Sequence, residues 1–356
     1  MARGLREFKV AIIGAGPAGC MAAYFLQDKC DVTVFDFGEP LRTLLPTGGG
    51  RCNLAHAEYD FKELAKNYPR GQKFLYSVFA QFSTADTVEF FERLGVKTYV
   101  QEDGRIFPVS NSAKDLREKF LRALKRVRFV KERVLELPPG FDKYIIATGG
   151  GGKCISLGHT IVEPRPALVG LRTKEDLSGL AGMCVGDLLF THEGISGPKA
   201  YKISSINARE DLPYKVSFDL CGEIDLQELL NANPHKSIKN LLSELIPKSL
   251  AVYVLGDLQN IKCHKIDGMM RDKILERLHN FELTIIGTSK DGEVVTCGGV
   301  CLDEVNPKTL ESKLVPGVYF CGEVLDIDGF CGGFNLQNCW STGYVAAKSI
   351  RDKINL

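Results

Sequence analysis

The sequence predicts an α/β fold in which a nucleotide-binding domain is interrupted and later resumed. Residues 8–36 follow the order strand, glycine loop, helix, strand. Two later segments, residues 143–150 and 318–323, are short apolar strands that also run into glycine. Residues 160–296 show a different pattern of short strands, turns and helices. The chain therefore leaves the first domain and returns to it.

The first strand, loop and helix have the pattern of a dinucleotide site. The apolar run FKVAII at 8–13 predicts a buried strand, and CMAAYFLQDK at 20–29 has helical spacing. In the loop between them, Gly14 permits a tight turn, Gly16 lets a pyrophosphate approach the backbone, and Gly19 lets the helix pack on the strand. The N-terminus of the helix would then face the phosphates.

The next strand, DVTVFD, ends in an acid that is placed to accept hydrogen bonds from a pair of ribose hydroxyls. A glycine turn in an ordinary strand–helix–strand unit is the alternative. The order of strand, loop, helix and acid favours the nucleotide site. From this unit we assign to the cofactor site Gly14, Gly16, Pro17, Ala18, Gly19 and Asp36.

A second glycine loop, LPTGGGRCN at 45–53, follows soon after the acid. Three consecutive glycines expose backbone N–H groups, which suits the lining of a long cofactor, although a purely structural loop is the alternative. This loop adds to the cofactor site Gly49, Gly50, Arg51, Cys52 and Asn53.

The downstream segments match the pattern of two-dinucleotide flavoproteins. In such proteins an Ala-Thr-Gly turn closes the FAD half, and a strand ending in glycine and an acid presents a carboxylate to the ribityl chain. The helical pattern after residues 332–333 would point its N-terminus at the flavin ring edge, and side chains at those two glycines would hold the ring away. The cofactor residues expected here are Thr148, Gly149, Gly322, Glu323, Gly332, Gly333, Asn335 and Leu336, together with Val134.

Several runs together resemble the YhiN/BaiN-like family of FAD flavoproteins, often described as NAD(P)/FAD-dependent or aminoacetone-oxidase-family enzymes. They are TGGGRCN, EDGRIFP, IIATGGG, LLFTHEGISGP and the run from TCGGVCLDE to GFCGGFNLQ. The resemblance covers nearly the whole chain. It implies a Rossmann-like FAD-binding domain of the two-dinucleotide type, residues 1–159 and 297–356. It also implies an inserted β-rich substrate domain, residues 160–296, with a helical part at about 225–280.

The chain departs from this family in one place. Relatives carry a longer Gly/Ser/Thr-rich stretch after the ATGG turn, whereas residues 149–159 here cross almost directly to Gly-His. We therefore expect the loss of a helix that would cover part of the cofactor domain, with consequences for FAD retention and catalysis. The chain also has Asn-Cys-Trp at 338–340, where relatives tend to have Trp-Ala-Phe.

Composition excludes several classes of protein. The 356 residues, 44% hydrophobic and 25% charged, are typical of a folded protein of two or three domains, not of a disordered or collagen-like chain. A net charge of +1 gives no overall attraction to nucleic acid or anionic membrane. The 12 cysteines contain no CxxC pair, and His and Cys spacings form no ligand cluster. We expect free thiols, a cytoplasmic location, no metal and no transmembrane helix.

Catalytic residues are harder to assign. His192, in FTHEGISGP, is the best acid–base candidate among six histidines, although it could merely cap that turn. Arg51 could bind an anionic substrate or the flavin; Arg105 and Arg165 are weaker candidates. No second strand–GxGxxG–helix pattern occurs, so NAD(P)H would have to dock transiently to reduce the flavin.

The sequence therefore predicts an oxidoreductase with non-covalent FAD, which transfers a hydride to or from a small organic substrate, including ene reduction. Two alternatives stay open. The shortened segment suggests a flavin-binding protein with a regulatory or vestigial role. The basic cluster at residues 122–133 suggests a flavin-dependent RNA-modifying enzyme, although a solvated face is its ordinary explanation. The expected partner is a small molecule, without nucleic acid or membrane; the substrate and the oligomeric state do not follow from the sequence.

Overall fold

The structure is a computed structural model that describes residues 8–150, 157–289 and 295–354. The chain divides into two compact units, residues 1–167 with 295–356, and residues 168–294. The first unit includes residues 160–167, which the sequence placed in the insertion, because a strand at 161–167 pairs with one at 295–300. That the first unit holds the cofactor and the second the substrate stays a prediction.

The strands of the described residues belong to one parallel sheet and three antiparallel sheets. In chain order they are β1 (Lys9–Ile13), β2 (Asp31–Asp36), β3 (Ala55–His56), β4 (Thr98–Val100), β5 (Arg105–Pro108), β6 (Arg128–Lys131), β7 (Lys143–Ile146), β8 (Ile161–Ala167), β9 (Leu171–Thr173), β10 (Cys184–Val185), β11 (Leu188–Phe190), β12 (Gly194–Ser196), β13 (Tyr214–Phe218), β14 (Phe281–Thr288), β15 (Val295–Val300) and β16 (Val318–Phe320).

The helices of the described residues lie before, within and after these sheets. In chain order they are α1 (Pro17–Leu26), α2 (Phe61–Ala65), α3 (Gln72–Phe79), α4 (Thr84–Arg93), α5 (Ala113–Ala123), α6 (Gly197–Ile206), α7 (Leu226–Ala232), α8 (Ile238–Leu242), α9 (Lys248–Leu255), α10 (Gly268–His279) and α11 (Phe334–Ile354). None of them combines the length and apolar character needed to cross a membrane.

The first unit is built on a five-stranded sheet in the order β16–β7–β1–β2–β6, with every pair parallel. Its central strand β1 is buried from Val10 to Ile13, as a parallel sheet covered on both faces requires. This sheet brings the returning strand β16 beside β7. The predicted α/β fold with an interrupted Rossmann-like domain is therefore confirmed.

Helices α1 and α11 pack directly against each other beside this sheet. Their backbones approach so closely that a Cβ atom on Gly343 would lie 2.4 Å from the Ala18 carbonyl oxygen. The C-terminal helix is thereby held against the helix that follows the first glycine loop. The unit also contains a three-stranded antiparallel sheet, β3–β5–β4, and the pair β15–β8.

The second unit has a six-stranded antiparallel sheet in the order β10–β11–β12–β9–β14–β13. Four helices, α7 to α10, fall within the segment predicted to be helical. Each of them buries apolar side chains in the core of this unit, which is the origin of the helical spacing in the sequence. Asp225, Ser237 and Asp267 cap three of them through their side-chain oxygens.

Some expectations differ from the structure or lie outside it. The sequence RVRFVKERVLEL at 126–137 predicts two strands separated by a turn, but the structure has only β6 in this segment, since only residues 128–131 pair with β2. The sequence Lys-Asp-Gly at 290–292 predicts a hairpin turn, which lies outside the described residues, as do residues 151–156 of the shortened segment 149–159. The cysteines in the described part of the chain are free thiols, as expected.

Candidate functional site

The three glycines of the first loop have different surroundings. A Cβ on Gly14 would lie 2.1 Å from the Ala147 carbonyl oxygen, and one on Gly19 would lie 2.0 Å from that of Gly14. Both positions are closed by the protein's own backbone, and Gly14 has a φ of +109°. A Cβ on Gly16 would meet nothing within 4 Å. The backbone of Gly16 therefore faces open space beside the start of α1.

Asp36 ends β2 beside this loop. Its carboxylate accepts hydrogen bonds from the Ala15 N–H (2.7 Å) and the Gly38 N–H (2.7 Å), which hold it in place. It also lines a cleft of about 180 Å³. The other residues of that cleft are Val34, Gly38, Glu39, Pro40, Phe129, Val130 and Lys131. A partly apolar cleft with one fixed carboxylate suits a flat heterocycle joined to a ribose.

The ends of β7 and β16 add polar groups near the same loop. The Thr148 hydroxyl is buried without a hydrogen-bond partner among the described residues. Gly322, with a φ of +78°, approaches α1 so closely that a Cβ would lie 2.8 Å from the Cβ of Ala18. Burial raises the pKa of Glu323 to about 7; the Gly150 N–H acts against this shift and the charge of Asp328 adds to it.

The second glycine loop has an unusual backbone. Gly48, Gly49 and Gly50 all have φ between +57° and +85°, and Cys52 has a φ of +66°. A Cβ on Gly49 would meet nothing within 4 Å, and one on Gly50 only the Leu45 carbonyl oxygen at 3.9 Å. These two glycines border open space, whereas the Cys52 side chain is fully buried. Burial also raises the pKa of Cys52 to about 12, so its thiol is protonated at neutral pH.

Arg51 and Asn53 form hydrogen bonds that hold this loop and connect it to neighbouring segments. The Arg51 Nε donates to the Gly48 carbonyl (3.1 Å), and its guanidinium lies 4.2 Å from the centre of the Phe107 ring. The Asn53 amide donates to the Ala55 carbonyl (3.2 Å) and accepts from the Gly333 N–H (3.0 Å). Asn53 thereby joins the second glycine loop to the segment before α11.

The C-terminal glycine pair lies where the sequence predicts, at the start of α11, but the protein itself requires one of the glycines. A Cβ on Gly333 would lie 2.4 Å from the Ala55 carbonyl oxygen. Close packing against β3 therefore explains Gly333 without a flavin ring. The Asn335 amide both donates to the Gly329 carbonyl and accepts from its N–H, each at 2.8 Å. Its described contacts hold the loop rather than a ligand.

Two further predicted residues pack against apolar surroundings. Val134 and Leu336 are partly buried against the hydrophobic core of the first unit. Both are explained by that packing, and their assignment to the cofactor site stays a prediction.

His56 lies at the proposed cofactor site but was not predicted from the sequence. Its ring stacks on Phe334 at 4.5 Å between centres, and its Nδ1 lies 3.1 Å from the Gly332 carbonyl oxygen. Because a carbonyl only accepts, Nδ1 carries the proton in this hydrogen bond. His56 thus lies against the C-terminal glycine pair. Its position three residues after Asn53 was the available signal, but only the pairing of β3 with β5 and the approach of α11 reveal the contact.

A buried ion pair was also missed. Arg70 forms two hydrogen bonds with the carboxylate of Asp328, whose side chain is completely buried. The pair ties the segment before α3 to the loop that leads to Gly332. A buried charge pair of this kind fixes one loop arrangement, because separating it would leave an unpaired buried charge.

His192 belongs to the second unit, and Arg51 to the first. His192 is exposed and lines a cleft of about 320 Å³ with polar walls. The other lining residues are Gly170, Leu171, Arg172, Thr191, Glu193, Ile195, Ser196 and Ser289. The cleft offers hydroxyl groups, an imidazole and an arginine, Arg172, whose Nε lies 3.8 Å from the Glu193 carboxylate, a set suited to a polar part of a ligand.

The chain is similar to a known protein family and to known proteins over most of its length. The model of the family described as HI0933-like protein Rossmann domain matches residues 8–136 and 142–349. A ribosomal RNA dihydrouridine synthase of Escherichia coli is 29% identical over 402 residues, covering 97% of this chain and 98% of the relative.

A 3-dehydro-bile acid delta(4,6)-reductase of Clostridium scindens is 29% identical over 410 residues, covering 97% of this chain and 99% of the relative. A ribosomal RNA dihydrouridine synthase of Haemophilus influenzae is 30% identical over 398 residues, covering 95% and 97%. The matches confirm the resemblance that the motifs indicated.

Proposed function

From the premise that this chain belongs to the HI0933-like Rossmann-domain family, we propose that it uses FAD to reduce a carbon–carbon double bond conjugated with a carbonyl group. Family membership confirms the coarser prediction, an FAD-dependent oxidoreductase. We propose three further points: that the substrate contains a conjugated double bond, that NAD(P)H can donate the electrons, and that particular residues take part in the reaction.

The contrast among the loop glycines is the observation that carries FAD binding. Gly14 and Gly19 are closed by backbone, whereas Gly16 borders open space at the start of α1, where a pyrophosphate would receive free N–H groups. The cleft at Asp36 would hold the adenosine, and the buried Thr148 hydroxyl, which has no partner among the described residues, offers a hydrogen-bonding group. FMN has no adenosine and would leave this cleft unused.

The names of the relatives support reduction of a conjugated double bond. A delta(4,6)-reductase acts on carbon–carbon double bonds, and dihydrouridine is uridine with its ring double bond reduced. In uridine and in a 3-oxo-4,6-diene alike, the double bond is conjugated with a carbonyl group. The substrates differ greatly in size, so they point to a shared reaction and not to a shared substrate.

When bound, the flavin supplies the hydride, and the protein must place the substrate and provide a proton. We propose that the guanidinium of Arg51, oriented by the Gly48 carbonyl and the Phe107 ring, binds the carbonyl or an anionic group of the substrate. His192, in the cleft of the second unit, is proposed independently as a proton donor, because histidine is the side chain most often used as a general acid.

The cofactor is tested on the purified protein. We expect a yellow protein that releases FAD on acid precipitation, identified by chromatography. Released FMN, or flavin that stays in the pellet, would contradict the proposed site.

The reaction is tested by reducing the flavin under anaerobic conditions and adding 2-cyclohexenone, a 4,6-dien-3-one steroid or a uridine-containing RNA. Reoxidation of the flavin together with formation of the saturated product would support the proposal. Reduced flavin that none of these acceptors reoxidises would overturn it.

The proton donor is tested with two histidine variants. His192→Gln should lower turnover by about 10²- to 10⁴-fold, the usual contribution of general acid–base catalysis, without changing FAD content. His264→Gln is the matched control, since His264 is another histidine of the second unit whose Nδ1 lies 2.7 Å from the Pro234 carbonyl oxygen. A His192 variant with normal turnover would remove this residue from the mechanism.

NAD(P)H is proposed only as a transient electron donor. We expect slow reduction of the flavin with weak affinity, because the chain has no second dinucleotide loop. Stopped-flow reduction that saturates at low micromolar NADPH would contradict this proposal.

RNA modification is the second candidate, because two of the relatives are named ribosomal RNA dihydrouridine synthases. The basic cluster on α5 and β6 is exposed, although Arg122, Arg126 and Lys131 each lie within 3.6 Å of an acidic partner. Arg128→Glu with Arg133→Glu should weaken retention of ribosomal RNA in a salt-dependent way if RNA is the substrate. Reversing the charge of Lys236 in the second unit is the control.

A further inference from the structure

Three side chains that could ligate a metal meet at one edge of the second unit. Asp219 and Cys221 follow β13, and His279 ends α10. Their ligand atoms all lie within 4.8 Å of one another, although Asp219 and His279 are 60 residues apart in the chain. Reading Cys and His spacing alone missed this cluster, because the ligands come from two elements that only the fold brings together.

We propose that Asp219, Cys221 and His279 bind a divalent cation of the zinc class. A thiolate, an imidazole and a carboxylate are the three side-chain ligand types that Zn²⁺ takes in proteins, and a tetrahedral site with three protein ligands keeps a fourth position for water. Hard cations such as Mg²⁺ and Ca²⁺ prefer oxygen ligands, so the cysteine argues against them.

The distances agree with a tetrahedral site. The Asp219 Oδ1 lies 3.2 Å from the His279 Nδ1. Metal–ligand bonds of about 2.0 Å at tetrahedral angles place neighbouring N and O ligands about 3.3 Å apart. In the structure this contact is a hydrogen bond between His279 and Asp219, and a metal ion would take the place of its proton while the N–O separation stays nearly the same.

The carboxylate is held in place by the backbone. The Asp219 Oδ1 accepts hydrogen bonds from the Cys221 N–H (3.1 Å) and the Gly222 N–H (2.9 Å). The Leu220 N–H donates to the Leu278 carbonyl (2.9 Å), which ties the turn to the end of α10. These bonds set the distance between the two ligand-bearing segments, so a metal ion would meet a largely formed site.

Exposure is compatible with binding from solution. Cys221 and His279 are half-buried and Asp219 is exposed, so the ion has a route of access. Bound there, it would join the end of β13 to the end of α10 and stabilise the second unit against unfolding.

The test measures Zn²⁺ uptake by the full-length protein under reducing conditions in equilibrium dialysis. The wild-type protein should bind one more Zn²⁺ per chain than Cys221→Ser or His279→Gln. Loss of a direct ligand should weaken this site by more than the 10- to about 100-fold that loss of an outer hydrogen-bond partner costs. The matched control is Cys184→Ser, since Cys184 is an exposed thiol of the same unit outside this cluster.

Co²⁺ provides a second readout. Wild type and Cys184→Ser should show the thiolate-to-cobalt absorption band, and Cys221→Ser should lack it. Circular dichroism verifies that the variants are folded. Equal Zn²⁺ uptake by all four proteins would mean binding to scattered thiols and would overturn the proposal, as would a cobalt band that survives loss of Cys221.

Discussion

At residue scale, Gly16 and Gly19 show one residue type in two roles. Gly19 is needed for the fold itself, since any side chain there would strike the Gly14 carbonyl. Gly16 has an ordinary φ of −74° and open space where a Cβ would point. Neither a steric clash nor backbone strain requires a glycine at that position. Its place as the N-cap of α1 gives glycine only a modest advantage, which leaves room for a ligand that approaches from outside.

Gly16→Val should therefore abolish FAD binding while changing the free energy of unfolding of the apoprotein by only about 0.5–2 kcal/mol, the usual range at a helix N-cap. The measurements are FAD content and urea denaturation of the flavin-free protein. Gly268→Val is the matched control, since Gly268 also begins a helix and its Cβ would meet nothing within 4 Å. Stoichiometric FAD in the Gly16 variant would show that the phosphate loop lies elsewhere.

Glu323 should make stability depend on pH. Its pKa is raised to about 7 by burial, whereas an unfolded glutamate titrates near 4.5. Between these values the unfolded chain has lost the proton that the folded protein retains, so rising pH favours unfolding. The wild-type apoprotein should lose stability from pH 5 to 7 relative to Glu323→Gln, as measured by urea denaturation. Parallel curves for the two proteins would contradict the raised pKa.

At the scale of elements, the contact between α1 and α11 connects the two ends of the chain. It rests on Gly343, whose missing side chain lets the backbones approach. The same approach brings Gly322 to Ala18, so the returning strand β16 ends beside the first glycine loop. The packing of α1 against α11 is therefore needed to bring the parts of the proposed cofactor site together.

Gly343→Ala should destabilise the protein by about 1–3 kcal/mol, because its Cβ would overlap the Ala18 carbonyl and overpack the interface. This loss outweighs the gain of about 1 kcal/mol that alanine brings to a helix. Urea denaturation measures the difference. Gly268→Ala, in open space at the start of α10, should be neutral or stabilising; the same result at Gly343 would mean that the helices separate at little cost.

At the scale of the whole molecule, FAD should stabilise the folded state because only that state presents the assembled site. At a concentration 100 times the dissociation constant, the gain is about 2.7 kcal/mol. Thermal unfolding of the apoprotein should therefore shift upward with FAD and hardly at all with FMN, which lacks the adenosine. An equal shift with FMN would remove the cleft at Asp36 from the site.

The strands β1 and β2 and the helix α1 between them were predicted accurately because their signals are local. The apolar run of β1, the loop glycines and the acid at the end of β2 are set by sequence spacing alone. The starts of α4 and α5 are local features of the same kind, since Ser83 and Ser112 directly precede these helices as N-cap residues.

The sequence by itself determined the α/β fold, the interrupted domain and the family, because strand and helix periods and glycine motifs are properties of short segments. Three contacts became visible only in the folded structure. The backbone of Ala55 leaves no room for a side chain at Gly333. The ring of His56 stacks on that of Phe334, and Asp219 forms a hydrogen bond with His279. Each of these contacts joins residues far apart in the chain. These contacts are stabilised by the packing of sheets and helices against one another. A short sequence pattern does not determine which of these surfaces will be in contact.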